Sequence, residues 1–293
     1  MKPLIDADVL LYEIGFSSEK SEKFNGETIV SPSSWEFCQE LFDKKIDLIC
    51  DETKAKDKPR LYLTNTKKLN QNLNRRRSFV GEPPKEFIDN FRYEVAEERE
   101  YKAGRKLEKP FHFDNLVNYI LSSYDAYVNE DGLEADDQMC IDQFSRYKEG
   151  QYDTIICSRD KDLRQCPGNH YSWECGKQAS VGPLFVDELG MLEEKGKNKV
   201  FGTGYKFFCY QMLVGDSVDN IGGIQGRGPK FAYHLLKDAD SIRGAYELVA
   251  EVYVKTYGDK WKQHFKEQAE LLWMIREVDE KGRRVDWKPP ARL

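Results

Sequence analysis

Histidine is scarce in this chain. His112, His170, His234 and His264 are the only four, and they lie too far apart in sequence for a zinc-site spacing. A histidine-based zinc hydrolase is therefore not expected, and no serine or cysteine has a clear basic partner for nucleophilic catalysis. The seven cysteines are an odd number without tight pairs, which suits reduced thiols rather than a disulfide framework. Cys157, Cys166 and Cys175 recur at an even interval that is no zinc spacing. No apolar run is long enough to cross a bilayer, so no membrane partner is expected. At the start of the chain Asp6 interrupts what would be the apolar stretch of a secretory signal, and a cytoplasmic location is expected. No internal repeat is visible.

What is present is a chain of 293 residues with 40% hydrophobic and 13% aromatic residues, enough for a real core. The net charge of −6 argues at first against a nucleic-acid partner. The distribution argues the other way. Eight of the carboxylates fall in the short acidic stretches described below, and without them the balance would be +2, while Lys67, Lys68, Arg75, Arg76 and Arg77, then Arg99, Lys102, Arg105, Lys106 and Lys109, form basic groups suited to phosphates.

The chain is organised around Gly132-Leu133-Glu134-Ala135-Asp136-Asp137. On a helix Glu134 and Asp137 share a face, while Asp136 points about 100° away from Asp137. Acids this close repel unless a cation lies between them, and a hard divalent ion with oxygen ligands is the natural one. The competing reading is an acidic helix N-terminus favoured by the macrodipole. Other acids shift the balance. Leu4-Ile5 reads as a buried strand ending at Asp6, and Thr154-Ile155-Ile156-Cys157 as another ending in Ser158-Arg159-Asp160-Lys161-Asp162. Strands at 61–63 and 126–128 alternate with helices at 34–51, 110–124 and 135–148. The pattern predicts an α/β fold with a central, mainly parallel sheet flanked by helices, and acids gathered at its carboxyl edge.

Residues 67–109 are charged, poor in aliphatic side chains and broken by Pro83-Pro84. A long stretch of this kind is expected to be functional or mobile, with a solvated charged loop as the alternative. Tyr101-Lys102-Ala103-Gly104-Arg105 could pair a stacking ring with two cations on one helical turn. Further on, the glycines between Gly215 and Gly228, followed by Pro229 and Lys230, predict a helix, a glycine-rich loop and a helix. That arrangement offers backbone amides to a phosphate. Helices at 205–214, 240–257 and 261–278 complete the chain, and 281–293 reads as a surface tail.

Taken in order, Asp6, Tyr101-Lys102-x-x-Arg105, Glu134-Ala135-Asp136-Asp137, Asp160-x-Asp162 and Gly215-Asp216-x-x-Asp219-Asn220 resemble the 5′ nuclease (flap endonuclease) superfamily. That family includes the 5′→3′ exonuclease domain of bacterial DNA polymerase I and the phage 5′ nucleases, and the form is most similar to the podovirus kind. The resemblance spans about residues 3–240. It implies a PIN-like nuclease core over 1–200, with a helical arch inserted at about 67–109. A helical, helix-hairpin-helix-like DNA-binding region would occupy 201–293. It implies that Asp6, Glu134, Asp136 and Asp137 hold or support a first Mg²⁺, and Asp160, Asp162, Asp216 and Asp219 a second, with Mn²⁺ as a substitute. Lys102 and Arg105 would touch the scissile phosphate. Arg75, Arg76, Arg77, Tyr101, Gly223, Gly226, Gly228 and Lys230 would meet DNA. The main-chain carbonyls of Leu213, Val214, Gly222, Ile224 and Arg227 would hold K⁺.

The implied activity is two-metal hydrolysis of DNA from or near 5′ ends, flaps or nicks, leaving 5′-phosphates. It would serve phage replication, primer removal or recombination in a host cytoplasm. The enzyme is expected to act as a monomer, with RNA in RNA–DNA hybrids a second substrate. This chain departs from the family where an aspartate usually follows the strand at 61–63, since Asn65 and Thr66 stand there. Gly222 replaces a usual proline, and Glu94, Glu97, Glu98 and Glu100 make the second half of the arch acidic. The competing readings are a non-catalytic DNA-junction binder and a related PIN-type ribonuclease.

Overall fold

The apolar runs at 3–5, 61–63 and 154–157 have no polar face to offer water, and each becomes a strand covered on both sides. The computed structural model describes residues 1–24, 27–103 and 108–291. The chain opens with β1 (Lys2–Asp6), α1 (Ala7–Ser17), a hairpin of β2 (Glu19–Phe24) and β3 (Glu27–Pro32), and α2 (Trp35–Glu52). Then come β4 (Arg60–Thr64), α3 (Lys67–Phe79), the short α4 (Arg92–Val95), α5 (Phe113–Ser123), β5 (Asp125–Asn129) and α6 (Ala135–Lys148). After β6 (Thr154–Cys157), β7 (Gly168–Ser172) and β8 (Val181–Val186), a second hairpin forms from β9 (Leu192–Gly196) and β10 (Lys199–Gly202). The remainder is helical: α7 (Gly204–Val214), α8 (Pro229–Leu236), α9 (Ile242–Tyr257) and α10 (Trp261–Leu272). Between α7 and α8 a two-residue ladder pairs β11 (Gly215–Asp216) with β12 (Ile221–Gly222).

The main sheet has six strands in the order β5-β4-β1-β6-β7-β8, all parallel except β8. Alternation along each strand divides its side chains between two cores. Ile5, Leu61, Leu63, Ile155 and Cys157 pack with Leu10, Phe42 and Leu116 from α1, α2 and α5. Leu4, Tyr62 and Ile156 pack on the opposite face with Met139, Cys140 and Phe144 of α6. From β1 the chain runs to β4 and β5 on one side, and β6 and β7 lie on the other. The strand order therefore reverses between β1 and β6. A crevice outside the carboxyl ends at such a reversal is where α/β sheets bind ligands. The mainly parallel α/β reading of the sequence agrees with this sheet.

The helices α7 to α10 form a third core around Phe208, Met212, Leu213, Val249, Tyr253 and Phe265. Phe91 and Tyr101 join this core from the segment expected to form an arch. That segment is not a detached loop over its described part. It begins as the helix α3, capped by Thr66, and later docks on α10, where Glu267 accepts the backbone N–H groups of Glu97 and Glu98. Three further expectations need correction. Both hairpins went unforeseen. The last helix stops at Leu272, and the following Trp273, Met274 and Ile275 are buried in extended form. The tail is not all surface, because Trp287 is buried against Phe208, Tyr246 and Phe265.

Arg92 locks the parts together. Its guanidinium donates to both oxygens of Asp137 at 2.7 and 2.8 Å, to the Leu271 carbonyl at 3.1 Å and to the Trp273 carbonyl at 2.8 Å. Asp137 also accepts the Ile275 N–H at 2.9 Å. Neither side chain reaches water, with exposures of 3% and 0%. A buried ion pair with one member removed leaves an uncompensated charge. Arg92→Met should therefore destabilise the fold by about 3–5 kcal/mol in urea titration, and Arg92→Met/Asp137→Asn should recover part of that loss. A single variant that unfolds like the parent would show that Arg92 is no strut.

Candidate active site

Asp6 ends β1 and caps α1: its Oδ1 accepts from the Val9 N–H at 3.2 Å and its Oδ2 from the Ser158 hydroxyl at 2.6 Å. Ser158, just past β6, also accepts the Asp160 N–H at 2.9 Å, and Asp160 Oδ1 accepts the Asp162 N–H at 2.8 Å. Gln211 of α7 donates to Asp162 at 2.7 Å. Thus one hydroxyl orients acids from two neighbouring strand ends. Glu134 and Asp136 arrive at the N-terminus of α6, with Glu134 as its N-cap. Asp216 and Asp219 come from the β11–β12 turn. That turn needs glycine: Gly215 has φ +73, and a Cβ on Gly223 would lie 2.3 Å from the Val214 backbone.

The cleft, of about 650 Å³, is lined by Asp6, Asp8, Glu134, Asp136, Asp160, Asp162 and Asp219, with Lys102 and Thr64 among the other walls. Burial, reinforced by Asp8 and Asp160, pushes the Asp6 carboxyl up to about 7. Burial also raises Asp136, helped by Asp6, Asp160 and Glu134, and raises Asp162, helped by Asp160. Two lysines offset the charge. Lys102 donates to Glu134, and Lys161 pairs with Asp216 at 2.7 Å. Among the described residues no three of these side chains already close as a metal-binding group. The donor set nevertheless fits a hard divalent cation: it is all oxygen, buried and mutually repelling, with ammonium groups at the positions of excess charge.

Several expected site residues do other work. Asp137 does not face the cluster as a ligand, because Arg92 and the α6 cap hold it in the core. Tyr101 is no exposed stacking surface. It is buried, and its hydroxyl donates to Glu134 and to Asp219 at 3.3 Å each. Arg77 is committed to Glu130 and Asn74, and Arg76 reaches the Leu121 carbonyl at 3.3 Å, while Arg75 is exposed. Arg105 lies outside the described residues. Gly223, Gly226, Gly228 and Lys230 are exposed on the α7–α8 loop and the first turn of α8. Of the carbonyls named for K⁺, Leu213 accepts from the Ile224 N–H, Ile224 from the Arg227 N–H and Gly222 from Gln268. Each keeps a second lone pair.

Neither Asn65 nor Thr66 takes the place of the missing aspartate. Asn65 turns toward Asn70 and leaves its Oδ1 buried without a partner, and Thr66 caps α3. The strand end at Thr64 instead donates its N–H to Asp8 at 3.0 Å. Asp8, in the first turn of α1, was missed because an acid there also reads as a helix-dipole partner. The signal that could have found it is the Asp6-Ala7-Asp8 pair at a strand end. Burial raises its carboxyl, and Glu134 adds to the shift.

Residues 203–288 match the family model described as "5'-3' exonuclease, C-terminal SAM fold". DNA polymerase I of Deinococcus radiodurans is 31% identical over 188 residues, covering 62% of this chain and 18% of that protein. DNA polymerase I of Bacillus subtilis is 31% identical over 175 residues, covering 58% and 19%. The matched region thus spans about a fifth of the length of these curated relatives. Among solved structures, a bacteriophage T5 flap endonuclease in a pseudo-enzyme-product complex with DNA and metal ions superposes with a TM-score of 0.53 at 13% identity, covering 91% of this chain and 86% of that one. The T5 5′-exonuclease with bound zinc gives 0.52 at 14%, covering 92% and 86%. These likenesses define an α/β fold with a C-terminal SAM-like helical module. The chain is thus similar to 5′-3′ exonucleases, through residues 203–288 in the family model and through 62% of its length in the Deinococcus radiodurans DNA polymerase I.

The repulsion inside the cleft has a stability consequence. A carboxyl whose folded pKa is raised stabilises the fold below its unfolded pKa, and that contribution is lost as pH rises through the folded value. In chelator, the melting temperature should therefore rise as pH falls from about 8 to about 6.5, a window above that in which protonating buried, neutral His170 would oppose folding. Asp8→Asn should raise the chelator melting point at about pH 8 and shrink the further rise on adding Mn²⁺. A flat profile in differential scanning fluorimetry would argue against a strained acid cluster.

Proposed function

We propose that this chain is a metal-dependent 5′→3′ exodeoxyribonuclease with flap endonuclease activity. The observation that carries the proposal is the convergence of Asp6, Asp8, Glu134, Asp136, Asp160, Asp162 and Asp219 in one cleft beside Lys102. Asp6, Asp8, Glu134 and Asp136 would hold one Mg²⁺, and Asp160, Asp162, Asp216 and Asp219 a second, with Mn²⁺ able to substitute. When bound, such ions lower the pKa of water and neutralise charge developing at a phosphodiester.

The chain's own residues do the rest. Ser158 fixes Asp6 relative to Asp160, so that the two acid groups keep their spacing. Lys102, whose ammonium lies beside Glu134, has the reach to turn toward a phosphate in the cleft. The buried Tyr101 hydroxyl holds Glu134 and Asp219 in register and supports that lysine 5.0 Å above its ring. The exposed backbone at Gly223, Gly226 and Gly228, with Lys230, would grip a duplex backbone. K⁺ would draw on the second lone pairs of the 213–227 carbonyls. Contacts of this kind read phosphates and shape, so little base preference is expected. The substrates would be 5′ ends, flaps and nicks in DNA, with RNA in hybrids accepted, and the products 5′-phosphates. A phage role in replication or recombination is consistent with the resemblance to podovirus enzymes.

The test is cleavage of duplex DNA labelled at the 5′ or the 3′ end, with Mg²⁺ and with EDTA. Short 5′-labelled products, with the 3′-labelled strand shortening progressively, are expected only with Mg²⁺. Lys102→Ala should slow cleavage about 10²–10³-fold without unfolding the protein. Asp160→Asn should abolish it while DNA binding survives. Near-normal turnover by Asp160→Asn would overturn the assignment, and binding without cleavage even in Mn²⁺ would favour a non-catalytic junction binder.

A further inference from the structure

A second groove, of about 990 Å³, lies on the other side of the acid wall. It shares Asp160, Asp162, Val218 and Asp219 with the cleft but includes neither Lys102 nor Glu134. Away from that shared wall its character reverses. Arg159, Arg164 and Lys199 line it, and among the described residues none of these three forms an ion pair. Among the described residues Arg159 donates only to neutral acceptors, the Trp173 carbonyl at 2.7 Å and the Gln178 side chain.

Arg164 is the most telling. Its guanidinium is half-buried and lies 4.5 Å from the Phe201 ring and 5.7 Å from the Phe207 ring. Its Nε donates to the Lys161 carbonyl at 3.2 Å, and that is its only hydrogen bond among the described residues. A guanidinium has five N–H donors, so four remain to be satisfied from the groove side. The β9–β10 hairpin carries Lys199 and places Lys197 at its exposed tip, extending the basic rim.

We propose that this groove binds nucleotide phosphates of the cleaved strand, on the side of the cut away from Lys102. The inference rests on the nuclease reading of the adjoining cleft. A phosphodiester placed over Asp160 and Asp162 has a neighbour to either side. One side meets Lys102, and the other opens directly into this groove. The acid wall repels phosphates unless cations cover it, while Arg164, Arg159 and Lys199 attract them just beyond it. Arg164, preset by its aromatic seat, is the anchor, because a planar fork held in place gives a phosphate two hydrogen bonds at little entropic cost.

The experiment measures DNA affinity by fluorescence anisotropy in EDTA across a salt series, and KM and kcat in Mg²⁺, for the parent, Lys199→Glu, Arg164→Leu and the remote control Lys44→Glu. Lys199→Glu and Arg164→Leu should each weaken binding about five- to tenfold, with the slope of log Kd on log salt shallower by about one. The loss should fall on KM rather than kcat, and Lys44→Glu should change little. Competition with a 5′-phosphorylated mononucleotide identifies the source of the phosphate. Inhibition that Arg164→Leu relieves indicates a released product, and no inhibition indicates a strand still attached; both support the groove. Unchanged affinity and salt slope in both folded variants, while the parent binds and cleaves DNA, would overturn the groove alone. A parent that neither binds nor cleaves DNA would overturn the nuclease reading and the groove with it.

Discussion

Like charges crowded out of water are the constraint on which this structure depends. The carboxylates from three strand ends and one helical loop share a cleft in which burial, reinforced by mutual repulsion, pushes Asp6, Asp8, Asp136 and Asp162 toward protonation. Such a cluster persists only if its carriers cannot move apart. The sheet fixes Asp6 and Asp160 through adjacent parallel strands. The buried Arg92–Asp137 pair fixes the start of α6, and with it Glu134 and Asp136, against the end of α10. The scaffold is thus stiffest where the charges it holds would otherwise drive it open.

The same ties join parts of the chain that are remote in sequence. The Lys102 N–H donates to the Asp219 carbonyl, and the Asn220 side chain donates to the Glu100 carbonyl. The Tyr101 hydroxyl reaches both Glu134 and Asp219. The segment carrying Lys102 is therefore built into the helical module as much as into the sheet. Its position and that of the β11–β12 turn are set together, which makes a boundary near residue 200 more a matter of chain order than of packing.

Much of this was legible in the sequence, and the rest failed for identifiable reasons. Buried parallel strands announce themselves as unbroken apolar runs, and acids just past them must collect at one edge. Asp6, Glu134, Asp136, Asp160 and Asp162 were found that way. The α7–α8 loop was legible because few other arrangements use so many glycines. Asp137 was misread because spacing alone cannot tell a ligand from a cap, and its partner Arg92 is one cation in a stretch full of them. Tyr101 looked exposed because its neighbours are charged, yet its ring completes the helical core. The hairpins at 19–32 and 192–202 carry mixed charged and apolar residues with no clean alternation, since much of their surface faces water.

The pairing of Thr64 with Asp8 bears on how relatives of this chain could be recognised. The acid that the family pattern places after the strand at 61–63 is absent here, and its neighbourhood is reached instead from the first turn of α1. The end of β4 meets Asp8 with the Thr64 N–H and its hydroxyl, and the same hydroxyl accepts the Ala135 N–H at 2.9 Å. A search template demanding an acid at that strand would discard this protein, while one written as an acid-x-acid step at the end of the first strand would retain it.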